Sequence, residues 1–329
     1  MAEPKGPPSS SKIEMKKYSF PVKPIQRLCW TEATADHLMT HEEPVVLTDT
    51  DLVQSALHWD LSYLEQNMGP AKHTVYVSKS RYFMYYDERK VNDFPSFKEP
   101  MKKREWTFSK FVDEYKSHEG RTDEYLYYQD ALTDTVGSGI KHDFVHFNWH
   151  WVSERKKRYN WGQLTSNLLL ISQPGNITPC HYDEQHNFFC QVRGLKRCLL
   201  FAPDQYDKLY PYPVAHPCDR QSQVDFDSPD FERFPKFKEI EGYECILSPG
   251  DVLYIPMYWW HTIETSPGEL SISITFWYRG GPVPSKITYP LSSQQKVAIT
   301  RNIEKMLHEA LQDHNEVGPL LHMICDGRY

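Results

Sequence analysis

Short apolar runs separated by turn-forming residues fill the middle of the chain, from Leu164 to Tyr278. Glycine, proline or aspartate punctuates the runs, which read SNLLLIS, HNFFCQVRG, LKRCLLFAP, YECILSPGDVLYIP and LSISITFWY. Because no segment with helical spacing intervenes, the pattern predicts an antiparallel sandwich or barrel and not a parallel sheet with crossover helices. The fold class that we expect is mainly β with flanking helices.

The first half of the chain mixes strands and helices. Residues 43–49 (EPVVLTD) form a β-branched run between turn formers, which predicts a buried strand, and residues 74–88 alternate as strands do. Two segments have the apolar spacing of a helix, with Asp60 at the N-cap position of 60–68 and Thr107 at that of 107–117. We expect these helices to flank the sheet.

The C-terminal tail predicts two short amphipathic helices. Residues 292–312 repeat apolar residues at helical spacing, and a second apolar cluster follows the sequence EVGP. The apolar positions are Ile299, Ile303, Met306, Leu307 and Ala310, then Leu320, Leu321, Met323 and Ile324. Two such helices can pack on the β core or pair with a second copy of the chain, and the spacing leaves both arrangements open.

Composition narrows the class of protein. The 329 residues carry a formal net charge of −7, which argues against generic binding to nucleic acid because that requires a basic surface. The seven cysteines contain no C-x-x-C pair, so they suggest neither a disulfide framework nor a zinc knuckle. Residues 1–16, rich in Pro, Ser and Lys, predict a disordered tail without a secretory signal. With no run long enough for a membrane helix, we expect a cytoplasmic and nuclear protein with no membrane partner.

A histidine and an aspartate two residues apart suggest a metal site. His181 and Asp183 stand at the start of a predicted strand, where residues i and i+2 share one face, so both side chains can converge on one ion. The candidate third ligand is His261, at the end of PGDVLYIPMYWWH, which an antiparallel neighbour can bring beside the pair. Two imidazoles and one carboxylate suit non-haem Fe(II) and leave coordination positions open. We interpret these residues as an iron site.

Lys196 is a polar residue inside the apolar run LKRCLLF. Its ammonium can extend to the surface along an apolar stem, or it can point into the barrel and bind a carboxylate. The second arrangement fits a dicarboxylate such as 2-oxoglutarate, whose keto-acid end would chelate the iron. Thr178 and Tyr127 are candidate hydroxyl donors to the distal carboxylate.

Five segments resemble the JmjC-type 2-oxoglutarate oxygenases and, within them, the asparaginyl hydroxylases that act on hypoxia-inducible factor. The segments read WGQLTSNLLLI, TPCHYDEQHNFF, YPYPVAHPCDRQSQVDF, PGDVLYIPMYWWH and KVAITRNIEKML. The resemblance runs from about Tyr18 to the last residue. It implies a double-stranded β-helix, the jelly roll of cupin-like proteins, over residues 17–290 and a C-terminal helical dimerisation segment over residues 291–329.

The resemblance also implies roles for individual side chains. The implied metal ligands and catalytic residues are His181, Asp183 and His261. The implied co-substrate residues are Tyr127, Thr178, Lys196, Asn187 and Thr275, and the implied substrate residues are Tyr85, Asp87, Gln129, Gln185, Arg220, Gln221 and Trp277. Thr275 departs from the family pattern, which has an asparagine there, and threonine lacks the amide donors. The C-terminal helices match a homodimer interface with Leu321 near its centre.

The implied activity is that of a dioxygenase with Fe(II) as cofactor and 2-oxoglutarate and O₂ as co-substrates. It would hydroxylate the β-carbon of asparagine, with aspartate and histidine as further targets. The implied partners are the C-terminal transactivation segment of hypoxia-inducible factor α and ankyrin-repeat proteins, and the implied role is oxygen sensing in the hypoxic response. A JmjC lysine demethylase is the main alternative, followed by a non-catalytic cupin-like binding module and a metal-dependent isomerase. The lack of a zinc-binding reader cluster and of a basic surface favours hydroxylation.

Overall fold

The computed structural model describes residues 16–118, 123–132, 136–283 and 286–327, so the predicted disordered tail lies outside the described residues except for Lys16. The described residues form fourteen strands: β1 Val22–Pro24, β2 Arg27–Cys29, β3 Val45–Thr48, β4 Lys72–Ser78, β5 Lys102–Thr107, β6 Tyr125–Ala131, β7 Leu164–Ser172, β8 Ile177–Tyr182, β9 Gln185–Arg193, β10 Lys196–Phe201, β11 Gly242–Leu247, β12 Val252–Ile255, β13 Trp260–Thr265 and β14 Ser271–Arg279. They also form seven α-helices: α1 Ala33–Thr40, α2 Leu61–Asn67, α3 Phe108–Ser117, α4 Ser138–Val145, α5 Trp149–Arg158, α6 Ser293–Leu311 and α7 His314–Cys325.

The strands form two sheets. The smaller sheet has the order β1-β11-β10-β13-β8, and the larger has the order β2-β3-β12-β9-β14-β7-β6-β4-β5. The pairs β1–β11 and β2–β3 are parallel, and the other pairs are antiparallel. This sandwich with flanking helices confirms the fold class that the short apolar runs predict.

The core has three layers because the central strands are buried on both faces. Phe189 of β9 and Leu200 of β10 belong to one apolar cluster that both sheets line, so this cluster lies between the sheets. The adjacent residue Phe188 belongs to a second cluster, which also contains residues of helices α1–α5, on the outer face of the large sheet. Leu199 packs in a third cluster on the outer face of the small sheet. Double-sided burial explains why these strands read as continuous apolar runs instead of alternating ones.

Both predicted N-caps are present. The Asp60 carboxylate accepts the backbone N–H of Tyr63 at 2.8 Å, and the Thr107 hydroxyl accepts that of Lys110 at 3.3 Å. These bonds satisfy N–H groups that have no partner within the first helical turn. Helices α2 and α3 therefore begin where the sequence predicts.

The predicted strand over residues 74–88 is correct only in its first part. Strand β4 ends at Ser78, and beyond it Tyr82 makes one isolated bridge, to Ile177. The Ser78 hydroxyl accepts the N–H of Ser80, and the Ser80 hydroxyl accepts that of Tyr82. Serine side chains thus take backbone donors that a strand would direct to its neighbour.

The two C-terminal helices are present, and α6 is buried on one face. Val297 and Arg301 are buried against the β core, whereas Ile303 is exposed and Met306 retains 68% of its accessible surface. Within this chain, therefore, α6 packs on the core and leaves an apolar face exposed. None of the helices in the described part of the chain combines the length and apolar character that a membrane span requires.

Candidate metal centre and co-substrate pocket

Three side chains from different elements converge at one end of the sandwich. His181 is the penultimate residue of β8, Asp183 lies in the turn before β9, and His261 is the second residue of β13. One candidate ligand atom from each residue lies within 4.8 Å of the other two. The three residues can therefore bind a single ion.

These residues lie at the opposite ends of their strands from those that the sequence predicts. The His-x-Asp pair was predicted at a strand start, but β8 ends at Tyr182 and the pair lies at that end. Likewise, β12 ends at Ile255, so His261 lies at the start of the next strand, as its second residue, instead of closing the P-G-D strand. The residues still meet because His261 and His181 are direct partners in the antiparallel β8–β13 pair.

Backbone carbonyls orient both imidazoles. Nδ1 of His181 lies 2.9 Å from the carbonyl oxygen of Pro179, and Nδ1 of His261 lies 3.0 Å from that of Trp259. A carbonyl oxygen only accepts, so Nδ1 carries the proton in each ring and Nε2 holds the free lone pair. This is the outer-sphere arrangement that prepares histidine for a metal.

The charge states also suit a metal. Burial lowers the pKa of His261 to about 4, which keeps this imidazole neutral at physiological pH. Burial by itself raises the pKa of Asp183, but the neighbouring His181, His261 and Arg220 together lower it. A neutral imidazole and an ionised carboxylate are the forms that ligate divalent metals, so this donor set fits Fe(II).

A cavity of about 440 Å³ opens from the three candidate ligands into the space between the sheets. Of the residues implied for the co-substrate and substrate, it is lined by Tyr85, Tyr127, Gln129, Thr178, Gln185, Asn187, Arg220, Thr275 and Trp277. Apolar side chains such as Leu170, Phe189 and Ile263 complete the wall. The volume is within the usual range for a small-molecule site.

Two polar atoms on the cavity wall are buried without a hydrogen-bond partner in the described part of the chain. They are Oδ1 of Asn187 and Nε1 of Trp277. Buried polar atoms are normally satisfied, so a bound polar molecule is a suitable partner for both.

Lys196 is not among the residues that line this cavity, but its ammonium lies beside the ring of Tyr127, which does line it. The lysine retains 1% of its accessible surface, which rules out the surface-directed orientation. Its Nζ donates to the Thr265 hydroxyl at 2.9 Å and lies 5.4 Å from the centre of the Tyr127 ring. Burial lowers the pKa of Lys196 to about 7. An ammonium with one hydroxyl partner retains donors for a carboxylate.

Two implied substrate residues have protein partners instead of facing the cavity. The Gln221 side chain donates to the backbone carbonyl of Tyr85, and Asp87 forms an ion pair with Arg89 at 2.9 Å. Arg220, by contrast, lies at the centre of the site, with Nη1 3.3 Å from Oδ1 of Asp183. Among these three, Arg220 is the residue whose side chain bonds a candidate ligand in the described hydrogen bonds. Gln221 is the backbone bridge partner of His181, and Asp87 lines an adjoining cavity that Asp183 and Arg220 also line.

Sequence reasoning missed two residues of this region. Thr265 stands four positions after His261 on β13, and the two-residue period of a strand could have placed it on the same face. Arg301 is a single buried arginine among the apolar positions of α6. The apolar spacing of that segment predicts a helix but gives no signal for the role of this arginine.

The family is decided by a comparison with protein-family models, which matches residues 31–282 to the cupin-like domain. This chain belongs to the cupin-like domain family. The matched residues end before α6 begins, so the C-terminal helices lie outside the match.

Relatives of this cupin-like chain include JmjC proteins. It is 34% identical over 173 residues to lysine-specific demethylase JMJ30 of Arabidopsis thaliana, covering 52% of this chain and 38% of that protein. It is 42% identical over 106 residues to lysine-specific demethylase 8 of Xenopus tropicalis, covering 32% and 23%. It is 34% identical over 145 residues to tRNA wybutosine-synthesizing protein 5 of Danio rerio, covering 44% and 42%.

These relatives support a JmjC-type 2-oxoglutarate oxygenase. The chain spans less than half the length of each of the three, so their complete activities do not transfer to it. The expected closeness to asparaginyl hydroxylases stays a prediction.

Proposed function

We propose that this cupin-like chain is an Fe(II)- and 2-oxoglutarate-dependent oxygenase that oxidises a C–H bond of a protein side chain. The observation that carries the proposal is the convergence of His181, Asp183 and His261 at the mouth of the cavity. These three residues would hold Fe(II), and Lys196 with Tyr127 and Thr178 would bind the distal carboxylate of 2-oxoglutarate. When bound, the metal and the co-substrate supply the activation of O₂.

The chain itself contributes orientation and the exclusion of water. The imidazoles are held by backbone carbonyls, and the cavity wall behind them is largely apolar. Arg220 on the cavity wall supplies a cation and planar donors that can bind an amide or carboxylate oxygen. These features suit a reactive site that must be kept dry.

The first candidate reaction is hydroxylation of the asparagine β-carbon. The described cavity lining contains one cation, Arg220, and its single carboxylate is the candidate ligand Asp183. Gln129 and Gln185 add amide groups to the same wall. These groups can bind a neutral amide side chain. A methyl-lysine cation would be repelled by the positive charge of Arg220, and the described lining offers no free carboxylate to offset that repulsion. An extended segment of a transactivation domain or an ankyrin repeat would present such an asparagine.

The second candidate reaction is demethylation of N-methyl-lysine. Two of the three relatives described above are lysine-specific demethylases. The comparisons therefore support this reaction better than asparagine hydroxylation, whereas the charge of the cavity supports the first candidate.

One experiment distinguishes the candidates. The full chain, loaded with Fe(II) and 2-oxoglutarate in air, is incubated separately with an extended asparagine peptide and with an N-methyl-lysine peptide. Gain of one oxygen atom by the first peptide supports hydroxylation, and loss of one methylene unit by the second supports demethylation. The matched control replaces the asparagine by glutamine or the methyl-lysine by lysine. Oxidation of tRNA in a third arm, with both peptides unchanged, would refute action on a protein side chain.

A homodimer formed through α6 and α7 belongs to the same proposal. Ile299, Ile303, Met306, Met323 and Ile324 are exposed apolar residues of these two helices. A second copy could cover them, because a group of exposed apolar residues on one surface marks an interaction site more often than apolar residues scattered singly do. We also propose that the protein acts in the cytoplasm and the nucleus.

A further inference from the structure

A buried arginine of α6 contacts both segments that border the candidate metal centre. Arg301 retains 2% of its accessible surface. Its guanidinium donates to both carboxylate oxygens of Asp219, at 2.7 and 3.1 Å, and to the Tyr182 hydroxyl at 2.8 Å. Nε of Arg301 also donates to Glu184 at 3.1 Å.

Each of these partners is the chain neighbour of a residue in the site. Tyr182 and Glu184 stand on either side of the candidate ligand Asp183, and Asp219 precedes Arg220. Arg301 itself belongs to a helix that is distant in the sequence. One guanidinium thus joins the turn that carries Asp183, the segment that carries Arg220, and α6.

The two segments are also joined to each other. The backbone N–H of Tyr182 donates to the carbonyl of Arg220 at 3.1 Å, and the Arg220 guanidinium contacts the Asp183 carboxylate. The turn between β8 and β9 contains only residues 183 and 184, so a shift of either neighbour moves Asp183 directly.

The chemistry of the arginine makes the contact rigid. A buried charge must be paired, and a planar guanidinium that binds a carboxylate with two parallel bonds fixes orientation as well as distance. Lys90 also pairs with Asp219, at 3.1 Å, but its single ammonium does not reach Tyr182 or Glu184 in the described hydrogen bonds. Arg301 therefore has a function that Lys90 cannot replace.

We propose that Arg301 is a positioning residue that holds Asp183 and Arg220 in register for metal binding. The inference rests on the proposed metal function of His181, Asp183 and His261. It assigns to the C-terminal helix a part in building the site in addition to any role in dimerisation.

The test is anaerobic titration of the metal-free full chain with Co(II), followed by visible absorbance. Co(II) binds N/O ligand sets like those of Fe(II) with somewhat higher affinity. For Arg301→Gln, we expect Co(II) affinity to fall about tenfold, the lower end of the range seen when an outer-sphere partner of a metal ligand is lost, because Arg301 contacts the chain neighbours of Asp183 and not Asp183 itself. Arg301→Lys keeps the charge without the two-pronged contact and should recover only part of the affinity.

The matched control is Lys296→Gln, which removes one positive charge from an exposed position of the same helix. It should bind Co(II) as the wild type does. Thermal unfolding of the metal-free proteins measures the purely structural effect of each change.

The inference would be overturned if Arg301→Gln unfolded at a lower temperature than the wild type but bound Co(II) with an affinity within twofold of the wild-type affinity. If that variant does not fold, Asp219→Asn tests the same contact from the other side, and unchanged Co(II) affinity there would also overturn it. A wild-type chain that fails to bind Co(II) would instead contradict the proposed metal site itself.

Discussion

His181 and His261 face each other across the β8–β13 pair, with their ring centroids 4.2 Å apart and their α-carbons in direct register. The register shifts immediately after His261, between this residue and Ile263. The candidate metal centre is therefore built on paired strands, with only Asp183 supplied by a turn. A site carried by a hydrogen-bonded ladder is held more rigidly than one carried by loops.

We expect Asp183→Ala to abolish both metal binding and 2-oxoglutarate turnover. The substitution removes the only anionic member of the donor set, so the loss of Co(II) affinity should exceed the roughly 10- to 100-fold cost of losing an outer-sphere partner. Co(II) titration and succinate formation measure the two effects. The control Asp113→Asn changes an exposed carboxylate of α3 and should leave both unchanged. Full succinate formation by Asp183→Ala would remove this residue from the ligand set.

Lys196→Met should raise the KM for 2-oxoglutarate about 10- to 100-fold, because a charge-assisted hydrogen bond contributes roughly 1.5–3 kcal/mol. Burial lowers the pKa of Lys196 to about 7, so the wild-type lysine loses its charge as the pH rises above 7. The difference between the two proteins in KM for 2-oxoglutarate should therefore shrink as the pH rises above 7.

The control for this prediction is Lys72→Met, an exposed lysine at the start of β4. Its KM for 2-oxoglutarate should match that of the wild type. An unchanged KM in Lys196→Met would assign the lysine a purely structural role beside Thr265 and Tyr127.

His186 should make the protein less stable in mild acid. The imidazole is buried, stacked on Trp161 at 4.5 Å, and burial lowers its pKa to about 3. The unfolded chain binds the proton below about pH 6.5, whereas the folded chain does not bind it until about pH 3. The free energy of unfolding is therefore unaffected by this group above about pH 6.5 and decreases as the pH falls from 6.5 toward 3. The slope from this group is at most about 1.4 kcal/mol of unfolding free energy per pH unit.

Chemical denaturation between pH 7.5 and 5.5 measures this slope. His186→Phe keeps the stacking and removes the titrating group, so its unfolding free energy should vary less with pH than that of the wild type. Tyr254→Phe removes the hydroxyl that contacts Nδ1 of His186 and should keep the wild-type slope. Equal slopes in the wild type and His186→Phe would refute the prediction.

Leu321→Glu should convert a dimer to monomers. Leu321 is half-buried on α7, beside the exposed residues Met323 and Ile324, and a carboxylate buried in an apolar interface lacks a compensating partner. Light scattering across a range of protein concentrations gives the mass. Asn315→Glu places the same charge at an exposed position of the first turn of α7 and should stay dimeric. A wild-type chain of monomer mass at all concentrations would contradict the homodimer.

Much of the architecture was accessible from local patterns. Asp60 and Thr107 mark helix starts because the capping bond involves residues two or three positions apart, and apolar runs such as CLLF mark strands buried on both faces. The types of the candidate ligands are also visible in the sequence, since two histidines and one aspartate form a donor set that suits Fe(II). These features depend on neighbours in the chain, so the sequence by itself determined them.

Only the tertiary structure decided which of these residues meet. The β8–β13 register puts His261 opposite His181, and no local pattern encodes that pairing because it depends on contacts among distant strands. The same is true of Arg301, whose partners lie 82 to 119 positions away in the chain. An arginine on an apolar helix face has no local signal that names its partners. Long-range packing and the pairing of buried charge therefore determined the final geometry of the site.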